Sequence, residues 1–275
     1  MTKISKTESF SKYIGRTPEN YYLSRLRFKD KNFDVTYHSI SKRNGKFRHI
    51  FIPNEKLKNY LQRLMPKIKK IYIEKVIYSC DHAFTPNKNC VSNASLHIAN
   101  RFVLSLDIKD FFDNIKIIHL EKYVPNELLE FTLFNDSLPQ GFATSPILAN
   151  IAMIDIDRSI VEKLKFFDDS IVYSRYADDL TVSFNTYSHK DFIISEIIKI
   201  LTIHGFKINK HKTLIQDKNN GRAIITGIAV SQYNIHPTRK ALKKLRAARH
   251  QKDTKSIQGL MAWTACNYPK KYLSN

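Results

Sequence analysis

Residues 170–184, SIVYSRYADDLTVSF, decide the fold, because two apolar runs flank the adjacent acids Asp178 and Asp179. The alternation of apolar and polar residues predicts two strands around a tight turn at residues 177–179. Side chains alternate along a strand, so neighbouring acids at the tip of a hairpin lie on opposite faces of the ribbon. Most such pairs are solvated turn residues, and this pair alone does not indicate a function.

A second acid makes the hairpin informative. Asp107 lies near the end of an apolar run at residues 102–109, FVLSLDIK, which predicts a short buried strand. An acid at the end of a buried strand is costly unless it is paired or binds a metal. If the two strands lie side by side, Asp107 faces Asp178, and the two carboxylates raise each other's pKa.

Divalent cations would turn that repulsion into a binding site. Mg²⁺ prefers a few carboxylates plus substrate phosphates. Two Mg²⁺ ions about 3.5–4 Å apart stabilise the attacking and leaving oxygens of a phosphoryl displacement. The three acids therefore predict a nucleotidyl transferase with two Mg²⁺ ions in its active site.

The charge of the chain indicates a polyanionic partner. Its 275 residues include 45 Lys and Arg against 25 Asp and Glu, a formal net charge of +20. Such a surplus disfavours an ordinary neutral metabolic enzyme and favours nucleic acid or an anionic membrane surface as partner. The positive charge is spread along the chain rather than gathered on one amphipathic helix, which favours nucleic acid.

Cysteine use and hydropathy predict a cytoplasmic protein without a membrane partner. The three cysteines, Cys80, Cys90 and Cys266, form no CxxC motif, so neither a disulfide scaffold nor a cysteine-rich zinc site is expected. The first residues lack the apolar core of a signal peptide. No stretch approaches the roughly 18 apolar residues that span a bilayer.

The hydrophobic pattern predicts further elements along the chain. We expect short helices and loops over the first 35 residues and a hairpin over residues 35–53 with Asn44-Gly45 as its turn. Further predictions are helices at 55–75, 143–165, 188–204 (ended by Gly205) and 238–250, and a hairpin at 222–233.

Four ordered segments resemble the motifs of reverse transcriptases. They are residues 105–115 (SLDIKDFFDNI), 138–151 (LPQGFATSPILANI), 176–179 (YADD) and 204–213 (HGFKINKHKT). Two further segments resemble retron reverse transcriptases. Residues 93–97 (NASLH) fit an NAxxH element, and residues 225–227 (ITG) stand where those enzymes carry VTG.

The resemblance implies an α+β right-hand polymerase with fingers, a palm and a short helical thumb. The palm would be an antiparallel sheet with helices on one face. The implied divisions are an N-terminal region with fingers at residues 1–100, a palm at 101–233 and a thumb at 234–275. A fingers insertion is expected at about residues 118–140.

The resemblance also assigns roles around the acids. Asp107, Asp178 and Asp179 would be catalytic, and together with Ile108 they would hold the metal ions. Phe112, five residues after Asp107, would contact the sugar and exclude a 2′-hydroxyl, which favours deoxynucleotides.

Four more residues would contact the incoming nucleotide. Gln140 can hydrogen-bond it, and Gly141 allows a close backbone approach. Arg48, on the second strand of the basic hairpin, would lie over the triphosphate, since a guanidinium fits phosphate oxygens bidentately. Lys212 would neutralise or protonate the leaving pyrophosphate, with Lys210 as the competing candidate.

Nucleic-acid contacts are expected at two places. Asn93 and His97, one turn apart if their segment is helical, would make RNA-template or family-specific contacts, with packing or capping as the alternative. The basic helix predicted at residues 238–250 would bind the phosphates of a duplex backbone or an RNA stem. Its proposed contact residues are Arg239, Lys240, Lys243, Lys244, Arg246 and Arg249.

The resemblance therefore implies an RNA-directed DNA polymerase of retron type. It would copy a structured non-coding RNA, primed from a 2′-hydroxyl of that RNA, into short, branched single-stranded DNA. A role in anti-phage defence with a separate effector protein is also implied. The alternatives are a group II intron-like, diversity-generating or abortive-infection reverse transcriptase, an RNA-synthesising polymerase, and a catalytically idle RNA-binding scaffold.

Overall fold

The structure, a computed structural model, describes residues 25–27, 33–41 and 47–266. They form an α+β fold with antiparallel sheets, as the sequence predicts. The strands are Arg25–Arg27 (β1), Asp34–Ser41 (β2), Phe47–Pro53 (β3), Phe102–Asp107 (β4), Val172–Tyr176 (β5), Asp179–Phe184 (β6), Leu214–Asp217 (β7), Ala223–Ile225 (β8), Ile228–Val230 (β9) and Ile235–Pro237 (β10). The helices are Glu55–Lys75 (α1), Cys90–Ser95 (α2), Phe111–Asn114 (α3), Asn126–Leu129 (α4), Ser145–Ala152 (α5), Ile154–Phe167 (α6), Lys190–Ile203 (α7), Arg239–His250 (α8) and Thr254–Ala265 (α9).

A four-stranded sheet in the order β5-β6-β4-β7 lies at the centre of the fold. Its strands β4, β5 and β6 are mostly buried, β7 is more exposed, and successive side chains enter two different cores. Leu104 and Leu106 join the larger core with α1, α5, α6 and α7, whereas Val103 joins a smaller core with α2, β8 and β9. This is the alternation that the pleat of a strand imposes. The expectation of helices on one face is therefore right for the long helices, while short α2 and a hairpin cover the other face.

Most predicted elements near the centre are present. Asn54 begins α1, accepting the backbone N–H of Leu57 at 2.9 Å, and the helix covers residues 55–75 as predicted. β2 and β3 form the predicted basic hairpin, whose Asn44-Gly45 turn lies outside the described residues. Of the first 35 residues, most lie outside the described part, and the described ones in β1 and at the start of β2 are strand rather than helix.

The prediction of one helix over residues 143–165 is wrong, because the chain forms two helices there. α5 ends at Ala152, and Met153, with φ −93° and ψ −4°, separates it from α6. No glycine or proline marks the break, so local sequence carries no signal for it. Asn150 and Asp157, on opposite sides of the break, both bond to the guanidinium of Arg175 on β5.

The C-terminal part contains the predicted basic helix as α8, packed against α9. The β8–β9 hairpin before it confirms the prediction for residues 222–233, and residues 267–275 lie outside the described part. In the described ranges no helix has the length and apolarity that crossing a bilayer requires.

Candidate active site

Two neighbouring strands bring the predicted acids together at one end of the central sheet. Asp107 ends β4, and its partner across the ladder is Asp179, the first residue of β6. The prediction that Asp107 faces Asp178 is therefore off by one residue, because Asp178 belongs to the turn rather than to the strand. That turn is held to β4, since the Ile108 N–H donates to the Asp178 carbonyl oxygen at 2.9 Å.

Burial and neighbouring charge raise the pKa values of Asp178 and Asp179. Burial raises the pKa of Asp178, and the charge of Asp107 adds to the rise while Lys212 and Arg48 oppose it. Asp179 is exposed overall, yet the protein around its carboxyl group and the charges of Asp178 and Asp107 raise its pKa to about 6. Carboxylates that disfavour their own ionisation in this way form a site that a cation stabilises.

The carboxylates present fit a divalent-cation site that water and substrate would complete. The Lys212 Nζ forms an ion pair with Asp107 Oδ1, so a positive charge already lies beside this carboxylate. Within the described residues, no three acidic, histidine or cysteine side chains converge closely enough to ligate one ion. Mg²⁺ commonly takes one or two carboxylates and completes its shell with water and substrate phosphates. Two aspartates at the strand ends meet that need, and the assignment of Ile108 as a further ligand stays a prediction.

The structure places Arg48 near the acids and Phe112 on α3, and their contacts with a nucleotide stay predictions. Arg48 is exposed on β3, close enough that its charge lowers the pKa of Asp178. Phe112 is half-buried on α3, and its ring centroid lies 5.4 Å from that of Phe111 and 6.5 Å from that of Phe84. Phe112 therefore packs against the larger core and keeps only part of its surface exposed.

The close approach at Gly141 involves the protein's own backbone. The Phe51 N–H donates to the Gln140 carbonyl oxygen at 2.7 Å, which ties this turn to β3. Gly141 has φ +117°, and a Cβ there would overlap the Phe51 carbonyl oxygen. Glycine is thus required for packing the turn against β3, and the expected approach of a nucleotide to Gly141 is not needed to explain it.

Between the two candidate lysines, the structure favours Lys212. It lies in a short 3₁₀ turn, Lys210–Lys212, that follows Gly205 and Phe206 and runs beside the end of β4. The Asn209 N–H donates to the Asp107 carbonyl oxygen at 2.8 Å, which positions this turn. The hydrogen bond to Asp107 raises the pKa of Lys212. Lys210 is exposed and makes no such contact.

The expected nucleic-acid contacts of Asn93 and His97 do not fit their burial, since both side chains are 0% exposed. His97 lies between two serines of the central sheet, with Nδ1 2.8 Å from Ser183 Oγ and Nε2 2.7 Å from Ser174 Oγ. Burial lowers the pKa of His97 to about 3, so it is neutral. A side chain enclosed in this way has no surface to offer to RNA, and the packing alternative is the correct one.

The two retron-like segments meet inside the molecule. Asn93 Nδ2 donates to Thr226 Oγ1 at 3.4 Å, and Thr226 in turn donates to the Cys90 carbonyl oxygen. Gly227 has φ +83°, and a Cβ there would lie 3.1 Å from the ring of Trp263 on α9. These motifs therefore join α2, the β8–β9 hairpin and the C-terminal helices into one packed unit.

The basic helix presents its charge to solvent, as predicted. Ala241, Leu245 and Ala248 form its buried stripe, while Leu242 is partly exposed. All six proposed contact residues are exposed: Arg239, Lys240, Lys243, Lys244, Arg246 and Arg249. A surface of this kind is suited to phosphate contacts.

Arg175 is a residue of the site that the sequence interpretation missed. It is 1% exposed beside the turn of Ala177 and Asp178, and its Nε and Nη2 bond to Asp157 at 2.8–3.1 Å. Its Nη1 donates to the carbonyl oxygen of Ala177, the residue before Asp178, at 3.3 Å. The available signal was a charged residue inside an apolar strand segment, which indicates a buried ion pair.

Comparison with known proteins agrees with this geometry. The family described as "Reverse transcriptase (RNA-dependent DNA polymerase)" matches residues 40–224. The chain is 29% identical to the retron Ec73 reverse transcriptase of Escherichia coli, over 82% of this chain and 73% of that protein. It is 26% identical to the retron Mx65 reverse transcriptase of Myxococcus xanthus, over 84% of this chain and 58% of that protein.

A solved structure supports the fold. The foamy viral protease-reverse transcriptase in complex with double-stranded DNA superposes with a TM-score of 0.53 at 18% identity, over 82% of this chain and 35% of that chain. At this identity the likeness concerns the fold alone, which is that of a right-hand polymerase.

Proposed function

Because the chain belongs to the reverse transcriptase family, and to its retron type, we propose that it copies a structured non-coding RNA into short, branched single-stranded DNA. The observation that supports this chemistry is the pairing of Asp107 with Asp179 at one end of the central sheet, with Asp178 in the adjoining turn. Mg²⁺ bound to these carboxylates would supply charge stabilisation to a phosphoryl displacement.

The protein's own side chains bind and orient the substrates. Arg48 binds the triphosphate, and Lys212, released from Asp107, neutralises or protonates the departing pyrophosphate. Phe112 presents its ring to the sugar, and Gln140 hydrogen-bonds the incoming nucleotide. The basic face of α8 binds the phosphates of the RNA–DNA hybrid.

Primer extension on an RNA template tests the chemistry. We expect Mg²⁺-dependent incorporation of dNTPs by the wild type and its loss in Asp178→Asn, which removes a charge from the site but keeps its shape. Asp169→Asn, at an exposed aspartate after α6, is the matched control and should remain active. Equal activity in wild type and Asp178→Asn would refute the assignment and favour an idle RNA-binding scaffold.

The choice of deoxynucleotides is tested separately at Phe112. Phe112→Ala should admit a 2′-hydroxyl and so lower the ratio of dNTP to rNTP incorporation. An unchanged ratio would remove this role from Phe112, and efficient use of rNTPs by the wild type would favour an RNA-synthesising polymerase.

The retron product is tested on the native complex. Sequencing of co-purified nucleic acid should find a branched species in which DNA joins a 2′-hydroxyl of the RNA. A linear product, or another RNA, would favour a group II intron-like, diversity-generating or abortive-infection enzyme. We further propose a role in anti-phage defence with a separate effector protein, for which deletion of the gene should lower phage resistance of the host.

We assign the protein to the cytoplasm. The three cysteines are free thiols, two of them buried, as suits a reducing compartment. Fractionation of the host should place it with the soluble nucleic-acid-bound proteins.

A further inference from the structure

Two residues beside the active site have left-handed backbone conformations that a residue with a side chain rarely adopts. Ala177, in the turn that precedes β6, has φ +58°, and Phe84, in the loop that precedes α2, has φ +63°. A positive φ is a genuine outlier for a bulky aromatic residue. Such strain persists only where neighbouring contacts over-determine the backbone, and it concentrates at functional sites.

One buried side chain connects these two positions. Asn150 on α5 is 1% exposed, and its Nδ2 donates to the carbonyl oxygen of Ala83, next to Phe84, at 2.9 Å. Its Oδ1 accepts from Arg175 Nη1 at 3.1 Å, and the same Nη1 reaches the Ala177 carbonyl oxygen at 3.3 Å. Asn150 and Arg175 thus form a continuous bridge between the two strained segments.

The loop around Phe84 is held from its other side as well. Thr85 donates to the Asp81 carboxylate, and Asn150 Nδ2 also lies 3.3 Å from Thr85 Oγ1. The backbone of residues 80–82 bonds to Arg175 on β5, through N–H to carbonyl distances of 2.7 and 2.8 Å. The backbone of this loop is therefore hydrogen-bonded to β5, the strand that ends at the turn of Ala177 and Asp178.

The loop carries an aromatic ring that contacts Phe112. The Phe84 side chain is 45% exposed, and its ring meets Phe112 edge-on, with centroids 6.5 Å apart. A half-exposed ring in a strained loop gains little from burial, so packing alone does not explain why the strain is kept. Its contact with Phe112 gives a reason, because that ring is the one proposed to exclude a 2′-hydroxyl.

We propose that Asn150 is a positioning residue for nucleotide selection, which sets the distance between the Phe84–Phe112 ring pair and the carboxylate turn. The proposal rests on the function proposed above. Phe84 contacts Phe112 edge-on and supports it. Asn150 holds the loop of Phe84 at a fixed distance from Ala177, and hence from Asp178. Asn150 itself touches no substrate.

The test is single-nucleotide incorporation on an RNA template, with kcat and KM measured for a dNTP and the matching rNTP. Asn150→Asp keeps the shape and the acceptor for Arg175 but removes the donor to Ala83. We expect KM for the dNTP to rise about tenfold or more and its preference over the rNTP to fall, because small displacements in an active site have effects of this size. The value of kcat should change less.

Asn100→Asp is the matched control. Asn100 is a buried asparagine before β4, 5% exposed, whose Nδ2 donates to two backbone carbonyls, of Ser170 and Ser183, at 2.9 Å. Its loss should lower stability similarly without changing the dNTP to rNTP ratio. The same ratio in Asn150→Asp and Asn100→Asp would overturn the proposal.

Phe84→Leu provides a second variant that does not disturb the buried bridge. It should lower the same ratio, and the double variant Asn150→Asp/Phe84→Leu should be no worse than the more affected single variant, because both act through one ring. An unchanged ratio in Phe84→Leu, or additive losses in the double variant, would overturn the inference alone. A wild type that incorporates no nucleotide would overturn the proposed function, and the inference with it.

Discussion

Replacement of Arg175 by methionine should be among the most destabilising single changes in this chain. Arg175 is 1% exposed and Asp157, its partner, is 7% exposed at the side chain, with Nη2 and Oδ2 2.8 Å apart. Arg175→Met leaves the Asp157 carboxylate buried with the Tyr173 hydroxyl, at 2.8 Å, as its remaining neutral donor. Removing one partner of a buried ion pair costs about 3–5 kcal/mol.

Equilibrium unfolding in urea, followed by circular dichroism, measures this cost. Lys163→Met is the control, because Lys163 forms an ion pair with Glu196 at 3.7 Å and is 45% exposed. That exposed pair should contribute less than about 1 kcal/mol. Asp157→Asn should restore part of the loss in the Arg175→Met background, since it removes the unpaired charge. A cost for Arg175→Met no larger than that for Lys163→Met would refute the reasoning.

Three further outcomes are expected. Gly141→Ala should destabilise the protein by more than Gly205→Ala. Both glycines have positive φ, but of the two only a Cβ at Gly141 would clash with protein atoms. Equal unfolding midpoints for the two variants would contradict this. Stability should fall as pH drops from about 6.5 towards about 3, by up to about 1.4 kcal/mol per unit, because the unfolded chain protonates His97 before the folded one does. His97→Gln should flatten that slope in unfolding curves measured against pH, and an unchanged slope would exclude His97 as its source. Lys244→Gln should reduce the slope of log K against log salt for RNA binding by up to about 0.9, and a slope equal to that of the wild type would place Lys244 away from the phosphates.

His97 is one source of this acid sensitivity, beside His82, whose pKa burial also lowers to about 3. The folded-state pKa of His97 is lowered because burial between two serine hydroxyls disfavours the charged ring. The folded protein therefore keeps His97 neutral well below the ordinary histidine range, and acid that protonates the ring favours the unfolded chain.

Local sequence was sufficient wherever structure follows from short-range pattern. The periodicity of residues 55–75, the apolar run before Asp107 and the alternation around Asp178 each predicted the element that forms. Acids at the ends of two buried strands predicted a shared site, because a buried charge needs a partner. The ordered motifs then indicated the family.

The tertiary structure decided the contacts between distant residues. The register that pairs Asp107 with Asp179, the break at Met153 and the enclosure of His97 depend on how strands and helices pack, which no local spacing encodes.

The chain by itself thus predicted the chemistry of the site, since carboxylates at strand ends favour the binding of divalent cations. Only the folded molecule decided which residues hold that site in place. Arg175 and Asn150 are 25 residues apart and become one bridge because α5 packs behind β5, where a buried guanidinium must find all of its acceptors inside the protein.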